Sequence, residues 1–121
     1  MTEMDRIGRR SVFACPDCHG IMWEIEEGEL VRYRCHVGHA YSAEIMSLAL
    51  DENLKRAFGS ALRALDERIA LARKLEMQAN QSGRSNIAKS WATKALEFEA
   101  EANVIRDSIR RTDEIAARFA A

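Results

Sequence analysis

Apolar and polar residues alternate along IMWEIEEGELVRYR, residues 21–34. A period of two is the pattern of a β-strand, because successive side chains of a strand point to opposite faces. Gly28 interrupts the alternation between two acidic residues, which predicts a hairpin of two antiparallel strands. Residues that are directly opposed in such a hairpin share a face. The expected pairs are therefore Ile25 with Val31, Trp23 with Tyr33 and Glu24 with Arg32.

The apolar period changes to three and four residues after Ser42, which predicts helix from there onward. Ser42 is a suitable N-cap and Glu44 places a negative charge in the first turn. We expect a short helix there and a new start at Asp51-Glu52, followed by a long amphipathic helix. Its apolar positions are Leu54, Phe58, Ala61, Leu65, Ile69, Ala72, Leu75 and Ala79.

The segment NQSGRSN, residues 80–86, has the composition of a tight connection between helices. The helix predicted after it carries a seven-residue repeat of large and small side chains. The large positions are Trp91, Phe98, Ile105, Thr112 and Phe119, and the small or intermediate ones are Ala95, Ala102, Ile109 and Ala116. A repeat of this kind is explained by helix packing, so we interpret it as a packing seam and not as a ligand pocket.

A short connection makes neighbouring helices antiparallel, so residues 52–120 are predicted to form a helical hairpin. Two helices alone do not cover both apolar faces. We therefore expect a homodimer through the hairpin, with a four-helix bundle as its simplest form; a partner protein that supplies the missing helices is the alternative.

The composition restricts the possible functions. The chain has 121 residues, is 47% hydrophobic, and balances 18 basic against 19 acidic side chains for a net charge of −1. Without a basic excess there is little to neutralise phosphates, so no nucleic-acid partner is expected. The beginning of the sequence lacks the apolar run of a secretory signal, and no segment approaches a membrane span. We expect a cytoplasmic protein with no membrane partner.

The stretch CPDCH, residues 15–19, is compatible with covalent haem attachment, with a redox-active dithiol, or with half of a zinc site. A second cluster, CHVGH at residues 35–39, distinguishes among them. A hairpin returns the chain to its starting point, so two ligand pairs that flank it can converge on one ion. The predicted ligands are Cys15, Cys18, Cys35 and His39, a Cys3His set typical of structural zinc.

His39 is preferred over His36 as the fourth ligand. His36 follows Cys35 directly and would point away from it in an extended chain, whereas three residues separate Cys35 and His39 and let the chain turn back. His19 is expected at the surface or next to the ligands. Gly20 and Gly38 follow the two pairs, where they let backbone amides turn toward the sulfurs.

These elements define the expected fold class and domains. The fold is mainly α with a small β part: an N-terminal zinc-bound β-hairpin, similar to a zinc ribbon, followed by a long antiparallel helical hairpin. Residues 1–12 form an N-terminal tail, residues 13–41 the zinc-binding module, and residues 42–121 a short helix and the dimerising hairpin. One structural zinc per chain is expected, because a single two-stranded hairpin is marginal in water without another stabilising element.

The residues favour three functions, in decreasing order. The first is a non-catalytic interaction module, since the chain has no Ser/His/Asp constellation, phosphate-binding glycine loop or paired inward carboxylates, and we expect no enzyme activity. The second is a redox or zinc sensor that uses Cys15 and Cys18. The third is a nucleic-acid-binding zinc ribbon, ranked last because the acidic residues of the hairpin neutralise Arg32 and Arg34.

The segment CPDCHGIMWEIEEGELVRYRCHVGHAYS, followed by a long helical pair, resembles the C-terminal zinc-ribbon-plus-helices extension of some bacterial chemotaxis-type protein-glutamate methylesterases. The resemblance covers residues 13–120, and is most specific in the CPDC and RYRCHVGHAYS parts. It implies that Cys15, Cys18, Cys35 and His39 bind zinc in a bacterial cytoplasmic protein near sensory signalling. The catalytic domain of those esterases has no counterpart here, so esterase activity is not implied.

Overall fold

The computed structural model describes residues 3–118 and is mainly helical, with one small antiparallel sheet. In chain order its elements are α1 (Met4–Ile7), β1 (Arg9–Ala14), β2 (Ile21–Glu27), β3 (Leu30–Cys35), β4 (Ala40–Ser42), α2 (Ala43–Gln81) and α3 (Ser85–Arg118). The sheet comes first and the helical hairpin follows, which confirms the predicted fold class. The chain divides into two compact units, one that ends at Leu54 and one that begins at Lys55. Along residues 3–118, no helix has an apolar stretch of the length needed to cross a membrane.

The sheet has four strands in the order β1-β2-β3-β4, two more than the predicted hairpin. Part of the segment assigned to an N-terminal tail is the edge strand β1, which pairs antiparallel with β2. Its sequence, RRSVFA, does not alternate between polar and apolar residues, and Val12 is 95% exposed. Gly8 allows the close approach of the two strands, since a Cβ there would lie 2.2 Å from the carbonyl oxygen of Glu24.

The predicted register of β2 and β3 is wrong by one residue. Glu24 lies opposite Tyr33, Ile25 opposite Arg32 and Trp23 opposite Arg34. The strands are joined by a two-residue turn, Gly28-Glu29, in which Gly28 has a φ of +66°. Glycine is favoured at this first central position of a hairpin turn because the left-handed backbone suits residues without a Cβ.

Both faces of β2 are covered, which explains why the alternation of apolar and polar residues predicted the wrong register. Met22 and Trp23 are adjacent in the chain, so they point to opposite faces, yet they are 0% and 3% exposed. On one face, Met22 belongs to a core with Cys15, Cys35 and Met46, against which Phe13, Tyr33, Tyr41 and Leu50 pack. On the other face, the indole N–H of Trp23 donates to Asp5 (2.9 Å) and the Arg10 guanidinium lies 5.9 Å from its ring centroid.

Residues 43–81 form one continuous helix, α2, where a short helix and a second start had been predicted. Its first turn is capped as expected, since the backbone N–H of Ile45 donates to Ser42 Oγ (3.2 Å). Asp51 and Glu52 do not interrupt the helix. Both are exposed, and an acidic side chain on the solvent face of a helix requires no new N-terminus.

The helical hairpin turns at Gly83, whose φ is +73°, and is packed through small residues. The buried residues repeat at seven-residue intervals, as Ala72 and Ala79 on α2 and as Ala88, Ala95 and Ala102 on α3. The predicted large positions Trp91, Phe98, Ile105 and Thr112 are half-buried beside this alanine seam. Phe119 lies outside the described residues. Alanines that face one another permit the two helices to approach closely, and this close approach buries the alanines.

Candidate metal centre

The four predicted ligands lie together at one end of the sheet. Cys15 directly follows β1, Cys18 lies in the loop before β2, Cys35 ends β3 and His39 directly precedes β4. Their ligand atoms all lie within 4.8 Å of one another. The hairpin therefore brings the two pairs into one cluster, because the end of β3 pairs with the beginning of β2 as Cys35 pairs with Met22.

The spacing of the cluster fits a tetrahedral ion. His39 Nδ1 lies 3.2 Å from Cys35 Sγ and 3.6 Å from Cys15 Sγ. Two ligand atoms bound to one zinc at about 2.0–2.3 Å in a tetrahedron are separated by about 3.5–3.8 Å. Three thiols and one imidazole are also the donor set that zinc prefers for a closed site. The residues present therefore fit a metal ion of this class.

The first ligand pair is held by a tight loop between β1 and β2. The backbone N–H of His19 donates to the carbonyl oxygen of Cys15 (2.8 Å), and the N–H of Cys15 donates to that of Gly20 (2.7 Å). His19 has a φ of +63°, the one left-handed non-glycine residue among residues 3–118. The left-handed residue reverses the chain immediately after Cys18, which returns Cys18 toward Cys15.

The second ligand pair is held in a similar turn between β3 and β4. The N–H of Gly38 donates to the carbonyl oxygen of Cys35 (3.1 Å), and the N–H of Cys35 donates to that of His39 (3.0 Å). The N–H of His39 also donates to the Cys35 sulfur (3.3 Å). Gly38 has a φ of +112°, a conformation that side chains disfavour. The backbone thus turns around the sulfur of Cys35.

The three histidines occupy different positions. His39 contributes Nδ1 to the cluster, whereas His36 is exposed and its ring lies 6.4 Å from the Trp23 ring. His19 is exposed in the first loop and is not part of the ligand cluster. Adjacent residues of an extended chain point to opposite sides, and this accounts for the orientation of His36 away from Cys35.

The electrostatics of the thiols depend on their partners. Burial acts to raise the pKa of Cys35, but hydrogen bonds from the backbone N–H groups of His39 and Gly38 favour the thiolate and lower the pKa to about 6. At Cys18, a backbone hydrogen bond from Gly20 acts to lower the pKa, but desolvation and the neighbouring sulfurs of Cys15 and Cys35 prevail and raise it. Thiolates this close repel one another, and a bound cation removes that repulsion.

A contact that the sequence did not predict joins the two halves of the centre. The hydroxyl of Tyr41, on β4, donates to the Asp17 carboxylate, which lies between Cys15 and Cys18. This hydrogen bond is the largest cause that raises the pKa of Tyr41, followed by desolvation. The sequence offered one signal, an acid inside the first pair and a tyrosine two residues after the last ligand. Only the fold places them together.

The ligands also differ in exposure. Cys15 and Cys35 are buried and belong to the core of the first unit, whereas Cys18 is exposed. Fold and site together define a small antiparallel sheet, whose Cys3His cluster could hold a metal ion, followed by a helical hairpin. Comparison of the chain with protein-family models, with curated proteins and with solved structures found no match.

Proposed function

We propose that the protein is a non-catalytic interaction module whose sheet is held together by one structural zinc ion. The observation that carries this proposal is the closure of the cluster, in which three sulfurs and His39 Nδ1 lie within 4.8 Å of one another. Four protein ligands occupy all positions of a tetrahedral zinc. A catalytic zinc keeps a position for water or substrate, which this donor set does not leave.

The position of the ligands within the fold supports a structural role. Cys15 and Cys35 are part of the same small core as Met22 and Met46. A zinc ion that bridges them would connect the end of β1 to the end of β3, and such an ion contributes directly to the free energy of folding. The sheet has few other buried apolar side chains, so the metal would supply much of its stability.

The helical hairpin would be the surface for other proteins. It exposes apolar side chains along both helices, among them Leu71, Leu96 and Val104. The resemblance to methylesterase extensions supports an accessory role in bacterial sensory signalling, with a signalling protein as partner. A reducing compartment such as the cytoplasm would keep the three thiols available for metal.

Native mass spectrometry of the purified chain, together with the Cys15→Ser variant, tests the zinc assignment. We expect one zinc bound to each 13.7 kDa chain, and loss of zinc together with the folded sheet in the variant. His36→Gln is the matched control, since His36 is adjacent to a ligand but lies against Trp23. A sheet that stays folded after zinc is removed would contradict the structural role.

The exposure of Cys18 supports a second candidate, a redox sensor. In that case hydrogen peroxide would take two electrons from the zinc-bound thiolates of Cys15 and Cys18 and two protons from water, form one disulfide and two water molecules, and release the zinc. Rapid zinc release by dilute peroxide, reversed by a thiol reductant, would favour the sensor. Retention of zinc under the same conditions would contradict the sensor and favour the structural module.

A further inference from the structure

The buried alanines of α3 have polar residues on one flank and large apolar residues on the other. Glu99 and Arg106 lie on the polar side, where they pair with Arg73 (3.3 Å) and Asp66 (3.1 Å) of α2. The pairs are separated by seven residues on each helix, so the register of the hairpin is constant over two turns. The charges of this side are therefore neutralised within the hairpin.

The apolar side carries large residues that α2 covers only in part. Trp91, Phe98 and Ile105, which we call the α3 stripe, are half-buried and spaced by seven. Phe98 is three residues after Ala95, which places it about 60° from the seam, and Glu99 lies about 40° from the seam on the other side. Large side chains in this position remain half-exposed because two helices enclose only the seam.

Helix α2 adds to the same face. The guanidinium of Arg68 lies 5.8 Å from the Phe98 ring centroid, which identifies the side of α2 that adjoins the α3 stripe. Leu75 is seven residues after Arg68 and therefore lies on the same side of α2, and Leu71 is one turn before Leu75. Leu71 is exposed and Leu75 is half-buried. Apart from Arg68, the face is thus apolar on both helices.

Besides Arg68, two charges of opposite sign border the α3 stripe. Lys94 is four residues before Phe98 and Glu101 three residues after it, so both lie on the same side of Phe98, at about 40° and 60°. Lys94 lies over the Trp91 ring (5.3 Å). Neither Lys94 nor Glu101 forms an ion pair with any residue between 3 and 118, although charges on the opposite side of the seam do.

We propose that the α3 stripe is covered by the α3 stripe of a second copy of this chain, packed antiparallel about a two-fold axis at Phe98. In this arrangement Trp91 faces Ile105 of the second copy. Lys94 and the second copy's Glu101 then differ in height along the helix axis by only about 1.5 Å, the rise of one residue. The two-fold symmetry repeats this contact, so Lys94 of each copy lies next to Glu101 of the other.

The charge order selects a second copy and selects the antiparallel direction. A parallel arrangement would bring Lys94 level with the second copy's Lys94, about 10 Å along the axis from its Glu101. The antiparallel arrangement makes the two charges complementary without any other protein. Two hairpins joined in this way form a four-helix bundle, which buries apolar side chains that one hairpin leaves half-exposed.

Sedimentation equilibrium of the zinc-loaded full chain tests the proposal through two charge reversals. Lys94→Glu gives four acidic groups at the symmetric contact and Glu101→Lys gives four basic groups, so each variant should dimerise about tenfold more weakly than the parent. An equimolar mixture of the two should form a heterodimer as tightly as the parent forms its homodimer, because every contact is then between opposite charges.

Lys89→Glu is the matched control. It reverses a charge on the same helix, five residues before Lys94 and about 140° around the axis from it. We expect it to dimerise like the parent, and circular dichroism should show the same helix content in all variants. A parent chain that stays monomeric at every concentration would overturn the proposal, as would single variants that dimerise like the parent. Zinc content is measured separately, so the result does not depend on the proposed function.

Discussion

Tyr41 donates a hydrogen bond to Asp17, so the strand that follows the last ligand is attached to the loop between the first two cysteines. This contact connects the two halves of the metal centre through protein atoms alone. Tyr41 also packs against the core that contains Cys15 and Cys35. The phenol therefore supports the ligands from one side while its hydroxyl orients the loop that carries Cys18.

Tyr41→Phe should weaken zinc binding without abolishing it. The variant keeps the ring and loses the hydrogen bond to Asp17, a loss of about 0.5–1.5 kcal/mol, or about two- to tenfold in the zinc dissociation constant. Competition with a chromogenic chelator measures the change. Tyr33→Phe is the control, because its hydroxyl donates to Glu24 away from the cluster. Equal effects of the two variants would contradict a specific role for Tyr41.

His19→Gly should stabilise the protein. His19 has a φ of +63°, a left-handed conformation that costs an L-residue about 1–2 kcal/mol. Glycine removes this cost, but its larger unfolded-state entropy offsets part of the gain in stability. We expect a net increase of about 0.5–1 kcal/mol in the free energy of unfolding of the zinc-loaded chain, measured by urea denaturation.

His19→Ala is the matched control for the glycine variant, since it removes the imidazole and keeps a Cβ. It should not be more stable than the parent. Both variants should retain one zinc per chain because His19 lies outside the ligand cluster. Loss of zinc in either variant would show that His19 takes part in binding.

Zinc binding should weaken as the pH falls, because protons compete with the metal ion for the three thiolates and the imidazole. The pKa of Cys35 is lowered to about 6, below the ordinary 9.0, so this thiolate contributes stability above pH 9 that is lost as the pH falls through about 6. The pKa of Cys18 is raised, so Cys18 takes up a proton earlier during acidification.

The pH dependence of zinc release can be measured on zinc-loaded protein. At each pH between 8 and 4, a thiol reagent that reacts in acid is added and the labelled cysteines are identified by mass spectrometry. The three cysteines should become labelled together as free zinc appears, because the same metal ion protects each thiolate. Labelling of these cysteines without release of zinc would contradict the assigned ligand set.

Ala95→Leu should destabilise the helical hairpin. Ala95 is 0% exposed in the alanine seam, so a larger side chain separates the helices at a cost of about 1–3 kcal/mol. Ala100→Leu is the control, since Ala100 is exposed on the same helix. Thermal unfolding followed by the helical circular dichroism signal distinguishes them. Equal midpoints would show that the seam has room for leucine.

Much of this protein could be predicted from local patterns. The period of apolar residues predicts the helical hairpin, and Gly83 marks its turn, because a helix buries one stripe of its surface whatever it packs against. The clustering of Cys15, Cys18, Cys35 and His39 was predictable for a similar reason. Two short cysteine-containing turns on either side of a hairpin must meet, since antiparallel strands return the chain to its starting point.

Other features depended on contacts distant in sequence. The register of β2 and β3 required knowing that both Met22 and Trp23 are covered, one by the core of the metal centre and the other by the N-terminal residues. Edge strand β1 has no apolar alternation of its own and is a strand because β2 offers it hydrogen-bonding groups.

The sequence by itself therefore determined which residues can bind a metal and which segments are helical, because spacing and period are properties of the local chain. The tertiary structure decided the strand register, the hydrogen bond between Tyr41 and Asp17, and the burial of alanines in place of the large residues between α2 and α3. Each of these depends on which surfaces meet across the fold, and the free energy of that choice comes from burial and hydrogen bonding between segments that no local pattern connects.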